Sequence, residues 1–245
     1  MEWTRRNVLA AGVIGGVGLS AGLIGSRARA HDEEEPEGPT TPTTPTTPDA
    51  VRVQIVLFDG FEILDGLGPF DVLSISSKAG SGFQTTLVTP NGATEVVALD
   101  GVTVKTTGAY DPSADITIVP GAPALWRSGE IPEGLEAVLQ AAREPGRVLA
   151  SVCTGAVYLA RAGWLNGRNA NTHKNAQQTI VDLGANLIVA RVVDDGDLLS
   201  SAGVTSGIDL AIYLVERYYG PQLAFATEQI VEHERRGTVW RKPNT

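Results

Sequence analysis

After about residue 50, the sequence alternates short apolar, β-branched segments with helical segments, and this alternation is the strongest constraint on its fold. Buried strands are predicted at residues 51–57, 83–89, 115–119, 148–152 and 198–201. Helices are predicted at residues 65–77, 135–143, 155–162, 174–183, 208–218 and 221–232. Because buried strands that alternate with helices are typical of a parallel sheet covered on both faces, the sequence predicts an α/β fold.

The remaining signals in this part of the chain agree with one domain. A hairpin is predicted at residues 95–106, around the turn Asp100-Gly101. About 195 residues follow the N-terminal segments, a length that suits a single α/β domain with a sizeable core. Neither a G-x-G-x-x-G pattern nor a Walker loop follows the first strand, so no nucleotide cofactor is expected.

The first 30 residues form a separate segment. Arg5 and Arg6 precede an uncharged apolar stretch at residues 8–24, and Ala28-Arg29-Ala30 has the small-x-small form of a cleavage site. Residues 1–30 are therefore predicted to be a twin-arginine export signal. The protein is expected to be extracellular or attached to the outer side of the cytoplasmic membrane. The alternative is an uncleaved anchor, which would be the one expected contact with the membrane.

An acidic stretch and a Thr/Pro repeat follow at residues 31–50. Low hydrophobicity and repeated proline predict a disordered, extended linker here. The domain is accordingly predicted at residues 51–235, with a C-terminal tail at residues 236–245.

Charge and cysteine content exclude several classes of function. The net charge is −9, and without residues 1–30 it is −12, from 15 basic and 27 acidic residues. A surface this acidic repels nucleic acid, and no DNA-binding segment is expected after the last helix. A single cysteine excludes an intramolecular disulfide framework. The three histidines lack ligand spacing, so no metal site is expected.

That single cysteine, Cys153, follows a predicted strand and precedes a predicted helix that begins within two residues. Such a turn holds a side chain at the carboxyl edge of the sheet, where α/β proteins bind ligands. The free N–H groups of a helix N-terminus favour thiolate over thiol. The sequence therefore predicts a nucleophilic Cys153 with a lowered pKa, although a buried apolar cysteine is the alternative.

Four motifs in this order resemble the ThiJ/PfpI superfamily, which is part of the class I glutamine amidotransferase-like proteins. The resemblance is strongest to the branch that contains isonitrile hydratase and the sensor domains of AraC-type regulators. The motifs are LDGLGPFDV at residues 64–72, SVCTG at 151–155, AGWLNGR with ANTH at 162–173, and GVTSGIDLA at 203–211. The resemblance implies a flavodoxin-like three-layer sandwich with a mostly parallel sheet and a nucleophile elbow, and a homodimer.

The resemblance also implies a carboxyl group beside the cysteine, which maps to Asp65. Such a group can share a proton with the thiol or pass one to a substrate. The alternative for Asp65 is an N-cap of the following helix, and Glu62 is the competing acid.

Further site residues follow from the same resemblance. Gly121 is a candidate oxyanion donor, and Ala122 replaces a glycine of the family motif. The backbone N–H of Thr154 is a second candidate donor, and Thr154 stands where peptidase-type members have histidine. His173 is expected either to line the pocket or to be structural. Asp209 is expected to be structural.

The resemblance implies a cysteine-dependent hydratase or hydrolase that acts on a small electrophile. The reaction expected first is conversion of an isonitrile to an N-substituted formamide, without metal or organic cofactor. The alternatives are an exported, non-catalytic ligand-binding or thiol redox-sensing module, and a glyoxalase- or deglycase-like activity.

Overall fold

The structure is a computed structural model that describes residues 50–243. The strands in this range are β1 Val51–Val56, β2 Phe83–Val88, β3 Glu95–Val97, β4 Thr103–Lys105, β5 Ile116–Val119, β6 Val148–Ser151, β7 Asn169–Ala170, β8 Asn186–Leu187, β9 Val192–Asp194, β10 Leu198–Ser201 and β11 Val239–Arg241. The helices are α1 Ile63–Ala79, α2 Pro123–Ser128, α3 Leu135–Ala141, α4 Gly155–Arg161, α5 Gln177–Asp182, α6 Ser206–Tyr219 and α7 Pro221–Val231.

The predicted export signal at residues 1–30 lies outside the described residues, as does the predicted linker up to residue 49. Between residues 50 and 243, no helix combines the length and the apolar character needed to cross a membrane.

Seven strands form one sheet in the order β11-β9-β10-β6-β5-β1-β2. The pairs β1/β2, β1/β5, β5/β6, β6/β10 and β9/β11 are parallel, and β9/β10 is antiparallel. Every residue of β5, β6 and β10 is buried, as expected for strands covered by helices on both faces. The predicted α/β fold with a mostly parallel sheet is confirmed.

The direction of the chain reverses in the middle of this sheet. From β1 the chain crosses through α1 to β2 on one side, whereas from β5 it crosses to β6 on the other side. Right-handed crossovers then place α1 and α3 on opposite faces. The reversal between β1 and β5 is a switch point, and ligands of α/β sheets bind at the carboxyl ends of the strands beside it. The segments that follow β1, β5 and β6 therefore meet at one edge.

Helices α1 and α6 pack closely where β6 ends. A Cβ on Gly207 would lie 3.1 Å from Pro69 and 3.2 Å from Val152. The small residue lets α6 approach α1 and the strand end directly before Cys153. Pro69 lies inside α1, which begins earlier than predicted, at Ile63.

Three further elements differ from the prediction. Helix α2 and strand β7 were not predicted, and both are short. Residues 236–245 were predicted as a tail, yet β11 lies within them and pairs with β9 as the last strand of the sheet. The domain therefore extends beyond residue 235. The predicted hairpin forms β3 and β4, which pair as a separate two-stranded sheet.

Candidate active site

Cys153 occupies a strained turn between β6 and α4. Its φ angle is +56°, a left-handed conformation that non-glycine residues adopt rarely and often at functional sites. The backbone is held on both sides, since the N–H of Cys153 donates to the carbonyl of Ala202 at 2.9 Å. The hydroxyl of Thr172 donates to the carbonyl of Cys153 at 2.7 Å. This is the geometry of a nucleophile elbow.

Gly155 allows this elbow to pack against the end of β5. A Cβ at this position would lie 2.3 Å from the carbonyl oxygen of Val119. Any side chain would therefore push α4 away from the sheet, and Cys153 with it.

Asp65 is the acid beside the cysteine. It lies in the first turn of α1 and is fully buried. Its Oδ2 accepts a hydrogen bond from the backbone N–H of Gly121 at 2.9 Å, and the Cys153 side chain is close enough to lower the pKa of its carboxyl. Oδ1 is buried and accepts no N–H or O–H bond from the described residues. The loops after β1, β5 and β6 thus place an acid, a backbone donor and a thiol together.

Glu62 does not compete for this position. It precedes α1 as the N-cap residue, is half-buried, and its backbone N–H donates to the carbonyl of Gly121 at 2.8 Å. Because Glu62 occupies the N-cap position, the alternative of an N-cap role for Asp65 is wrong.

Burial raises the pKa of Asp65 from 3.8 to about 8. The hydrogen bond from Gly121 lowers this pKa, and the charge of Glu62 raises it. The carboxyl therefore holds its proton at neutral pH. A buried neutral acid is suited to donating a proton to a reacting group.

Burial, followed by the neighbouring charge of Asp65, raises the pKa of Cys153 from 9.0 to about 12. The backbone N–H groups of Val204 and Thr154 lower this pKa but are outweighed. The predicted lowered pKa of this thiol is therefore wrong for the resting site. The helix end contributes one N–H, whereas burial removes the water that would stabilise a thiolate.

Gly121 positions the acid instead of facing a substrate. Its N–H is already bonded to Asp65, so the expected role of Gly121 as a free oxyanion donor is contradicted. Ala122 is buried at the N-cap of α2, and its carbonyl accepts a bond from the Tyr158 hydroxyl at 3.4 Å. Thr154 lies beside the sulfur as expected, and its buried hydroxyl has no partner among the described residues.

Gly121→Ala is expected to lower the free energy of unfolding by about 1–3 kcal/mol, the usual cost of overpacking. The added Cβ would lie 2.5 Å from Thr154 Oγ1 and 2.8 Å from Asp65 Oδ2. Urea titration measures the loss. Gly108→Ala is the control, because its Cβ would approach no atom closer than 3.3 Å. Equal stabilities of the two variants would contradict the close packing of Gly121, Thr154 and Asp65.

His173 lies against the loop that follows β10. A Cβ on Gly203 would lie 2.7 Å from its ring, and its Nδ1 accepts a hydrogen bond from the backbone N–H of Asn175 at 3.2 Å. Burial and the charges of Lys174 and Arg127 lower its pKa. The ring lines a groove of about 470 Å³, and no hydrogen bond joins it to Cys153 or Asp65 within the described range. His173 is therefore a wall residue of this groove.

Val204 is a site residue that the sequence analysis did not identify. A backbone donor has no side-chain signature, and only its place in the GVTSGIDLA motif marks it.

Asp209, from the same motif, accepts a bond from Arg191 at 2.8 Å and is buried in an ion pair. Among residues 50–243, no three His, Cys, Asp or Glu side chains form a group that could hold a metal ion.

Comparison with known proteins connects this site to a family. The sequence profile of the DJ-1/PfpI family matches residues 51–217. Isonitrile hydratase of Pseudomonas putida is 31% identical over 75% of this chain and 79% of its own length. The transcriptional regulator CdhR of Pseudomonas aeruginosa is 29% identical over 72% of this chain, which spans only 53% of the regulator.

The fold agrees with solved structures. Drosophila melanogaster DJ-1beta superposes with a TM-score of 0.67 at 18% identity, over 76% of this chain and 100% of that protein. At this identity the likeness concerns the fold, namely a mostly parallel sheet with flanking helices. The profile match over most of the domain and the identity to isonitrile hydratase establish that this chain belongs to the DJ-1/PfpI family.

Proposed function

We propose that this protein is a cysteine-dependent hydratase that converts a small isonitrile and water to an N-substituted formamide. The observation that carries the proposal is the pairing of two buried, protonated groups, the Cys153 thiol and the Asp65 carboxyl. The similarity of this chain to an isonitrile hydratase supports the same reaction.

The reaction needs an acid and a nucleophile at the same atom. The terminal carbon of an isonitrile must gain a C–H bond and a bond to the nucleophile, and both groups must reach it together. Asp65 can supply the proton and Cys153 the sulfur, because each side chain is close enough to shift the pKa of the other. Holding both groups in one place removes the entropic cost of bringing them together.

The first half of the reaction forms a thioimidate. The Cys153 sulfur bonds to the isonitrile carbon, and the Asp65 proton passes to that carbon. Asp65 then takes the thiol proton, so the number of protons on the pair falls by one. The product of this half is Cys153-S–CH=N–R. The N–H groups of Val204 and Thr154, which lower the pKa of the thiol, would stabilise negative charge on the sulfur during the transfer.

The second half releases the product. A water molecule adds to the C=N bond, its oxygen to carbon and a proton to nitrogen. The C–S bond then breaks, the remaining water proton returns to the pair, and R–NH–CHO leaves. The pair thereby regains the one proton it had lost and again holds two, and one water is consumed for each isonitrile.

Burial of the sulfur selects for a narrow substrate. Cys153 is only 2% exposed, and the resting thiol is a weak nucleophile at neutral pH. The terminal carbon of an isonitrile carries no substituent, so this linear group can approach a covered sulfur end-on. A narrow approach also excludes bulk water, which strengthens the interactions of the developing charges.

We further infer that the enzyme works outside the cytoplasmic membrane and as a homodimer. Export is supported by the twin-arginine pattern in residues 1–30. The homodimer is supported by the resemblance to the superfamily.

The proposal is tested by incubating the full-length chain with alkyl and aryl isonitriles in D2O and following the formyl group by NMR. We expect a formamide whose formyl carbon carries deuterium, since its hydrogen comes from the exchangeable acid. A parallel panel of α-oxoaldehydes tests the glyoxalase- or deglycase-like alternative. Turnover of the aldehydes alone would replace the proposal with that activity. Turnover of neither would favour a binding or sensing module.

A further inference from the structure

A groove of about 470 Å³ lies against the segments that hold the Cys153 backbone. Thr172 and Ala202, which bond the carbonyl and the N–H of Cys153, are both in its walls. Gly203 is also in its walls and directly precedes Val204, whose backbone N–H lowers the pKa of the Cys153 thiol. The groove is therefore lined by residues that hold the backbone of Cys153 on both sides.

The charge of this groove is opposite to that of the protein. Lys174, Arg191 and Arg236 are in its walls, and of the wall residues in the described part of the chain none is Asp or Glu. The positive charge of Arg191 is neutralised by Asp209, with which it forms an ion pair at 2.8 Å. Lys174 and Arg236 are exposed, and neither side chain forms an ion pair with any residue between 50 and 243.

A further cation acts on the same side. Arg127 and Lys174 both lower the pKa of the His173 ring, and no acidic residue is among the groups that shift it. Two cations therefore act on His173 in a chain whose net charge is −9. Electrostatic focusing by such a groove raises the local concentration of small anions.

The same groove also has an apolar wall. Val189, 79% exposed, lies in it beside Ala190 and Ala202. An exposed aliphatic side chain next to two unpaired cations suits a ligand with a short hydrocarbon part and a carboxylate.

We propose that this groove binds a carboxylate of the substrate through Lys174 and Arg236, so that the preferred substrate is an anionic isonitrile. The carboxylate would lie in the groove while the isonitrile carbon reaches Cys153. The catalytic consequence rests on the proposed hydratase function, whereas the binding of a carboxylate does not.

The first test compares isocyanoacetate with its neutral methyl ester, using the full-length chain at low ionic strength. We expect the double variant Lys174→Gln/Arg236→Gln to lower the ratio of kcat/KM for the acid to that for the ester by about tenfold. The loss should appear in KM, because the carboxylate is bound equally in the ground and transition states. Salt should diminish the preference of the unaltered protein.

The matched control is Lys78→Gln/Lys105→Gln. It removes the same net charge from two exposed lysines, on α1 and β4, that lie outside the groove. The control should leave the acid-to-ester ratio unchanged. An equal fall in both double variants would assign the effect to net charge and overturn the inference.

A second measurement separates this inference from the proposed function. N-formylglycine, the product expected from isocyanoacetate, is titrated calorimetrically into the full-length Cys153→Ala protein, with N-methylformamide as the neutral comparison. We expect selective binding of N-formylglycine that weakens about tenfold in the groove double variant. If this binding is observed but the unaltered protein does not turn over isonitriles, the groove binds carboxylates and the proposed hydratase function is wrong. If isonitriles are turned over without a preference for the carboxylate and N-formylglycine is not bound selectively, the hydratase function stands and the inference about the groove is wrong.

Discussion

Cys153→Ala is expected to reduce isonitrile hydration at least about 10⁴-fold in kcat, the scale of losing a covalent nucleophile. Without the sulfur no thioimidate can form, and Asp65 alone can only protonate the isonitrile carbon. The measurement is formamide production followed by NMR. Alanine retains the Cβ, so the left-handed turn at residue 153, with its φ of +56°, is no more strained than before. Thermal unfolding should show that the variant is folded.

Cys153→Ser is the matched control for shape, because a hydroxyl replaces the thiol with the same number of heavy atoms. Its alkoxide is far less accessible than a thiolate, so it should be nearly as inactive. Mass spectrometry of the unaltered protein during turnover should show an adduct equal in mass to one substrate molecule, and neither variant should show it. Residual activity above about one tenth in Cys153→Ala would refute covalent catalysis by this residue.

Asp65→Asn is expected to lower hydration about 10²–10⁴-fold, the usual contribution of a positioned general acid. The reactivity of the Cys153 thiol towards alkylation should instead increase. The charge of Asp65 raises the pKa of Cys153, so the variant thiol should ionise at lower pH. Alkylation by iodoacetamide at pH 8 should therefore be faster than in the unaltered protein, while turnover falls. A merely structural role for Asp65 would slow turnover without accelerating alkylation.

The same substitution should change the pH dependence of both activity and stability. Folding raises the pKa of Asp65 from 3.8 to about 8, so between these pH values the folded state holds a proton that the unfolded state has released. The free energy of unfolding should therefore decrease as pH rises from about 4 to about 8. Asp65→Asn should remove this slope and stabilise the protein by a few kcal/mol at pH 8. Turnover by the unaltered protein should decline above about pH 8, when the pair loses its first proton.

Glu62→Gln is the control for the measurement of hydration. Glu62 is another acid near α1, but its contact with the site is through its backbone N–H and the carbonyl of Gly121. Its substitution should leave hydration within about threefold of the original, since no proton passes through it. A loss equal to that of Asp65→Asn would show that the two acids act as one unit, and would contradict the assignment of the proton to Asp65.

Local residue patterns alone predicted most of the fold. Short runs of apolar residues predicted β1, β5, β6 and β10, and their alternation with helices predicted a parallel sheet. The succession of buried strand, Cys153, Thr154, Gly155 and helix predicted the elbow. These features could be read from the sequence because each depends on neighbours along the chain.

The elements that the sequence analysis missed are short or depend on distant partners. Helix α2 has six residues, which is too few for a periodic apolar pattern. Strand β11 has three, and it exists as a strand because β9 offers an unpaired edge to it. Neither feature has a local signal strong enough to distinguish it from a loop.

Only the tertiary structure decided the chemical state of the site. The sequence indicated a thiolate at a helix end, whereas the folded chain buries Cys153 against Asp65 and keeps both groups protonated. It also showed that the Gly121 N–H is bonded to Asp65. The protonation of these groups depends on burial and on neighbours in the segments that follow β1, β5 and β6, which lie far apart along the chain. The sequence specifies the type of each residue. How much water folding removes from around that residue depends on the three-dimensional packing, which the sequence pattern does not show.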